Sequence, residues 1–268
     1  MAQQGSSYLD SLLNLESVRK SLVRQEDSII FSLIERAKYP INSALYEDDD
    51  DDKISKDDAP AHSSASLFHF FIRESEALQA KAGRYTSPEE NAFFPDNLPS
   101  PLLPPPDHTP VLHSPGASIN INEKILNLYL KTLLPLIAAN GDDGNYAATA
   151  ASDLNCLQAL SRRIHFGKFV AEVKFRDAPE DYTPAIRAKD REALMKLLTF
   201  ESVEEMIKKR VEKKAMIFGQ DMDLKENDSN SDYKVDPSIV SKLYGEWVIP
   251  LTKSVQVEYL LRRLDLPF

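Results

Sequence analysis

Apolar positions recur along nearly the whole chain at steps of three, four or seven, the spacing that lines one face of an α-helix. In residues 15–38 the stripe is Leu15, Val18, Leu22, Ile29 and Leu33, with Asn14 as predicted N-cap and Pro40 as terminator. The pattern predicts a second helix over 65–82, stopped by Gly83, and a third over 121–138, with Pro135 as kink or terminator. Further helices are expected over 149–175, in a shorter pair across 180–198, over 202–218 (ended by Gly219) and over 236–264, kinked at Pro250. Alternating strand patterns are absent. The predicted fold is all-α: a single large helical-bundle domain, 1–268, of about eight helices.

The connections are unusual. Residues 86–117 hold nine of the 17 prolines and predict a long irregular segment that wraps the bundle. Residues 47–58 hold eight acids and two lysines, a run read as solvated loop rather than metal or partner site. Segments 47–62 and 220–233 are expected to be mobile, and Asn140–Tyr146, NGDDGNY, is turn chemistry.

At 268 residues and 42% hydrophobic content, the chain can bury a large core. Its net charge of −10 argues against nucleic-acid binding, although −6 of that charge sits in 47–58. The one cysteine, Cys156, rules out an internal disulfide and points to a reducing compartment. The start, MAQQGSSYLDSLLNLESV, has neither signal-peptide nor transit-peptide character, and no run is long enough to span a bilayer. The expectation is a cytosolic protein with no membrane partner.

Several chemistries fall away. No phosphate-cradling glycine loop is present. The histidines at 62, 69, 108, 113 and 165 are scattered, and Cys156 lies nine residues from His165, off any shared helical face. An enzyme built on this chain is expected to use no metal, no cofactor and no covalent intermediate.

One segment stands out. Residues 161–175, SRRIHFGKFVAEVKF, place Arg162, Arg163, His165, Lys168 and Lys174 among residues suited to burial. Arg163 and Lys174 fall about 20° apart around a helix and roughly 16 Å along it, with Gly167 and Val170 between them. That spacing suits a compact dianion between two cations. A buried structural ion-pair network is the other reading. Arg162 and Lys168 point elsewhere and are expected to be solvated or ion-paired. Arg19 shares a stripe with Val23, Glu26, Ile30 and Leu33, while Thr252, Gln256, Tyr259 and Arg263 share one face of the last helix. Inward cations beside neutral donors suggest an anion site.

ALSRRIHFGKFVAEVKF (159–175) and LTKSVQVEYLLRRLD (251–265) resemble segments of the all-helical eukaryotic chorismate mutases. VRKSLVRQEDSIIFSLIERAKYP (18–40), SPEENAFFPD (87–96) and GDDGNYAATAASDLNCLQ (141–158) fit the same family. The resemblance covers almost the whole chain apart from the acidic run and 221–233, and is most like a plant cytosolic isoform. It implies the rearrangement of chorismate to prephenate in phenylalanine and tyrosine biosynthesis. That reaction needs a held conformer and a stabilised ether oxygen but no acid, base or cofactor. A catalytically silent scaffold of the same fold that binds a partner is the alternative.

The resemblance also implies roles. Arg19 and Arg163 match carboxylate-binding arginines, and Lys174 matches a lysine bridging a carboxylate and the ether oxygen. Glu204 matches the acceptor for the ring hydroxyl, Thr252 a carboxylate-side contact and Gln256 the second donor to the ether oxygen. Phe200 stands where fungal relatives have Asn and is left out of the site, since a phenyl ring cannot hydrogen-bond substrate. Regulated relatives carry Gly-Ser where this chain has Ala147-Ala148, and the fungal form has Arg-Arg at Gly83-Arg84. The resemblance therefore implies a homodimer that is not regulated by aromatic amino acids. Because Gln256 is neutral where fungal relatives have Glu, and lysine and arginine titrate high, turnover is expected to be flat across roughly pH 5–9.

Overall fold

The computed structural model describes residues 14–47, 66–96, 98–104, 111–220 and 233–266. The acidic run 48–58 and the segment 221–232, both expected to be mobile, lie outside the described residues. Nine helices follow in chain order among those residues: α1 Leu15–Arg36, α2 Leu67–Lys81, α3 (Asn122–Leu128, Tyr129–Leu133 and Leu134–Ile137), α4 Tyr146–His165 and α5 Gly167–Asp177. Then come α6 Pro179–Arg187, α7 Arg191–Leu198, α8 Glu201–Gly219 and α9 (Pro237–Leu243, Tyr244–Val248 and Ile249–Leu261). No strand is present among the described residues, only an isolated antiparallel bridge between Gln220 and Tyr233.

The helix starts follow local chemistry. Asn14 caps α1 as predicted: its Oδ1 accepts from Ser17 N at 2.9 Å, and Ser17 Oγ in turn accepts from Asn14 N in a capping box. Gly83 follows α2 with φ +87°, a conformation costly for other residues, and so ends the helix. Arg36 is fully buried at the end of α1, where its guanidinium pairs with Asp153 of α4 and donates to the carbonyls of Tyr39 and Pro40. That network holds the chain as it leaves α1 and ties the helix end to α4.

Two expectations change. Pro135 does not end its helix, and Pro250, expected only as a kink, likewise lies within one. Each follows a π turn that closes two residues earlier, Tyr129–Leu133 and Tyr244–Val248. Leu134 N bonds Tyr129 O and Ile249 N bonds Tyr244 O, so the widened turn makes room for the proline ring and the helix continues. The predicted 149–175 helix is divided at Phe166 into α4 and α5.

The apolar faces of all nine helices join one buried cluster. In it α1 packs along α4, α5 packs against α9, and α8 closes against α1 and α9. Of the Pro-rich segment, the described part around Phe93 and Phe94 is pinned to α2, where the buried Glu76 carboxylate accepts from Phe93 N (2.7 Å) and Phe94 N (2.9 Å). The segment contains one helical turn, Ser114–Ala117, whose Gly116 lies so close to Tyr259 of α9 that a Cβ would meet the ring at 2.5 Å.

Candidate active site

A cavity of about 680 Å³ opens between α1, α4, α5, α8 and α9. Arg19, Arg163, Lys174, Glu204, Thr252 and Gln256, the six residues singled out in the sequence, all line it. They come from five separate helices, so only the tertiary fold brings them together.

Gly167 sets the crossing of α5 and α9. A Cβ there would stand 2.8 Å from the Thr252 carbonyl oxygen and 3.4 Å from Gln256 Cγ. The helices therefore meet backbone to backbone, which brings Thr252 and Gln256 close to the stripe carrying Arg163 and Lys174. Thr252 Oγ1 donates to Val248 O at 2.6 Å and accepts from Arg163 Nη1 at 3.3 Å. Arg163 is only 3% exposed, its guanidinium lies 5.9 Å from the centroid of the Tyr244 ring, and burial lowers its pKa. Gln256 is 6% exposed, and its Oε1 has no hydrogen-bond partner among the described residues.

Lys174 differs from its neighbours. Burial, reinforced by the charge on Arg19, pushes its pKa down to about 8. Its Nζ lies 4.7 Å from the centroid of the Phe200 ring. Phe200, set aside on sequence grounds, thus lines the cavity.

Sequence reasoning missed three further charged residues. Arg210 of α8 binds Glu26 through Nε (2.9 Å) and Nη2 (2.5 Å), and Lys214 adds a bond at 3.1 Å. Lys253 holds Glu204 at 2.8 Å. Val203, Ile207, Arg210 and Lys214 recur at steps of four and three, so a cation on an apolar stripe was the available signal. Arg19, Arg163, Lys174, Arg210 and Lys253 face Glu26 and Glu204 in the lining, an excess of positive charge suited to an anion.

Other expected cations lie elsewhere. Arg162 is ion-paired with Glu90. Lys168 is not solvated and has no ion-pair partner among the described residues: it is 1% exposed and donates to Asn91 Oδ1, Ala117 O and Ile119 O, with burial bringing its pKa to about 8. His165 carries no charge at neutral pH; burial and the nearby Lys168 lower its pKa to about 4, and its Nε2 accepts from Ile121 N. Tyr259 and Arg263 continue the face of Thr252 and Gln256 in sequence but turn to the buried Glu172, at 2.6 Å each. Burial opposes the charge on Glu172, yet hydrogen bonds from Arg263, Tyr259 and Arg176 outweigh it and lower the pKa.

Gly83, Arg84, Ala147 and Ala148 lie outside the cavity lining. Ala147 and Ala148 are exposed in the first turn of α4. Arg84 donates to Glu90 at 2.9 Å, Gln79 at 2.9 Å and Gln158 at 2.6 Å.

Residues 145–257 match the family model described as chorismate mutase type II. Chorismate mutase 2 of Petunia hybrida is 62% identical over 96% of this chain and 95% of its own length. The cytosolic chorismate mutase 2 of Zea mays is 53% identical over 94% and 97%. The crystal structure of AtCM1 with tyrosine bound in its allosteric site superposes with a TM-score of 0.82 at 51% identity, covering 95% of this chain and 98% of that one. With this agreement over nearly the full length, on a helical fold and around a cation-rich cavity, the chain belongs to the chorismate mutase family and is an isomerase.

Proposed function

We propose that the cavity between α1, α4, α5, α8 and α9 is the active site in which chorismate is rearranged to prephenate, and that the whole chain is one domain built around it. The observation that carries this reading is the convergence of the six named residues on one cavity. Chorismate is a dianion. Arg19 and Arg163 bind its carboxylates with Thr252 beside them, and Glu204, fixed by Lys253, accepts from the ring hydroxyl. Lys174 and the amide of Gln256 donate to the ether oxygen as its bond breaks and negative charge grows there. Holding the compact diaxial conformer removes the entropic part of the barrier, and fixed donors supply the electrostatic part. Loss of chorismate absorbance on adding the protein tests the reading; no loss in any buffer favours the silent, partner-binding scaffold.

The same reading extends to a cytosolic homodimer with constitutive activity. α2 leaves Leu67, Phe70 and Leu78 exposed at 48%, 40% and 70%, an apolar face that a second subunit would cover. Arg84 is already engaged by Glu90 and two glutamines, and Ala147-Ala148 offers no hydroxyl, so an amino-acid carboxylate meets few free donors. A monomer in sedimentation overturns the first part. A several-fold response to sub-millimolar tyrosine or tryptophan overturns the second.

A further inference from the structure

Phe200 occupies the N-cap position of α8, with φ −129° and ψ 90°. Ser, Thr, Asp and Asn lead at that position because their side chains satisfy a free N–H of the first turn. Phenylalanine makes no such bond, and the N–H groups of Val203 and Glu204 reach only its backbone carbonyl, each at 3.0 Å. Nor does the ring serve the core, for Phe200 is 54% exposed and lies outside the buried cluster. Local helix chemistry and core packing both leave this side chain unexplained.

Its neighbour explains it. The ring centroid lies 4.7 Å from Lys174 Nζ, within cation–π range. Among the described residues the Lys174 ammonium has no hydrogen-bond or ion-pair partner, whereas Lys253 on the same wall is tied to Glu204 at 2.8 Å. A carboxylate beside Lys174 would fix it too, but would neutralise the charge and have to be displaced by substrate. An aromatic face attracts the ammonium and leaves its charge and donors for the ligand.

We infer that Phe200 is the positioning residue for Lys174, its ring holding the ammonium against the cavity wall in the free enzyme without neutralising it. The inference rests on the reading that Lys174 acts on chorismate. It accounts for an aromatic where capping favours asparagine: the position gives up helix stability to organise a catalytic cation.

Phe200→Asn separates these roles, because it restores the cap while removing the ring. The expected result is a Tm raised by about 2–4 °C with kcat/KM for chorismate reduced about five- to tenfold. Phe200→Tyr, which keeps the ring, retains most of the activity. In a Lys174→Met background, Phe200→Asn costs little more, because the group it positions is gone. Unchanged kcat/KM in Phe200→Asn overturns the inference, as does an equal further loss in the Lys174→Met background. A lowered Tm also overturns it, by making Phe200 a packing residue. Undiminished turnover in Lys174→Met alone would instead remove the functional reading beneath the inference.

Discussion

Gly167 and Thr252 touch through their backbones: a Cβ on Gly167 would stand 2.8 Å from the Thr252 carbonyl oxygen and 3.2 Å from Thr252 Cγ2. Neither a carbonyl in a buried helix nor a packed methyl can rotate aside, so Gly167→Ala must push α5 and α9 apart. Overpacking of this kind costs about 1–3 kcal/mol, partly offset by the ~1 kcal/mol that alanine gains over glycine inside a helix. The shift also displaces Thr252 and Gln256 from Arg163 and Lys174. The expected outcome is a modest fall in Tm with a larger fall in kcat, since donors misplaced by several tenths of an ångström lose transition-state contacts. Unchanged kinetics in Gly167→Ala would show that the close crossing does not set the site.

The sequence carried this glycine only as a small residue between two cations. The stripe of Arg163, Gly167, Val170 and Lys174 was legible because helical periodicity survives the division at Phe166. Helix positions were legible for the same reason. The π turns before Pro135 and Pro250 were not, since a proline inside a helical pattern reads equally as kink, end or accommodated bulge. Lys168 was misread because carbonyl acceptors from the connecting segment at Ala117 and Ile119 leave no mark in a pattern of charges. Tyr259 and Arg263 were drawn towards the anion site by their stripe, but Glu172 takes them, and a long-range partner of that kind is set by tertiary packing alone.

Removing the Lys174 ammonium separates stability from activity. Its pKa is about 8 in the folded chain, below that of a solvated lysine. The unfolded chain therefore binds the proton more tightly between pH 8 and the ordinary lysine range, and folding stability rises with pH across that window. At neutral pH the buried charge opposes folding. Lys174→Met should raise the Tm of the ligand-free protein while lowering turnover by about 10²–10³-fold, the usual cost of losing one preorganised donor. A melting scan and a kinetic assay of one preparation decide both points, and a lowered Tm contradicts the electrostatic account.

The same pKa changes the expected pH profile. Lys174 starts to lose its proton near pH 8 in the free enzyme. The flat profile expected from reference lysine values should thus bend downward on its alkaline side. The effect belongs to kcat/KM, which reports the free enzyme. In the complex the substrate's carboxylates favour the ammonium, so kcat should stay flat to higher pH. Profiles of kcat/KM that remain level through pH 9.5 would mean that Lys174 is not the group controlling substrate capture.

Glu26 is fully buried and relies on Arg210 and Lys214. Arg210→Ala strips away its two-point partner and leaves a carboxylate inside the cavity lining. Arg210 is 35% exposed and Lys214 remains, so the loss is well short of that for a fully buried pair, about 1–3 kcal/mol. Glu26→Gln in the Arg210→Ala background should recover much of that loss, because a neutral amide needs no cation. Additive losses in the double variant, measured by denaturant unfolding, would rule out the pair as the cause.

Gln256→Glu tests the second donor to the ether oxygen. An amide donates at every working pH, whereas a carboxyl donates only when protonated. Burial raises the pKa of a carboxyl, and a cation bonded to it lowers it. The structure favours the first effect. Gln256 is 6% exposed, and its Oε1 is enclosed without a hydrogen-bond partner among the described residues, so a carboxylate oxygen placed there would meet no direct protein donor. The new carboxyl should therefore titrate above the ordinary glutamate value of about 4.3. Turnover in Gln256→Glu should be near wild type at the acid end and fall as pH rises through that raised value, when the ionised oxygen repels the charge developing on the ether oxygen. Wild-type turnover should show no such acid-side limb. A variant fully active at pH 7.5, or a wild type whose rate climbs steeply towards acid, would take Gln256 out of the reaction.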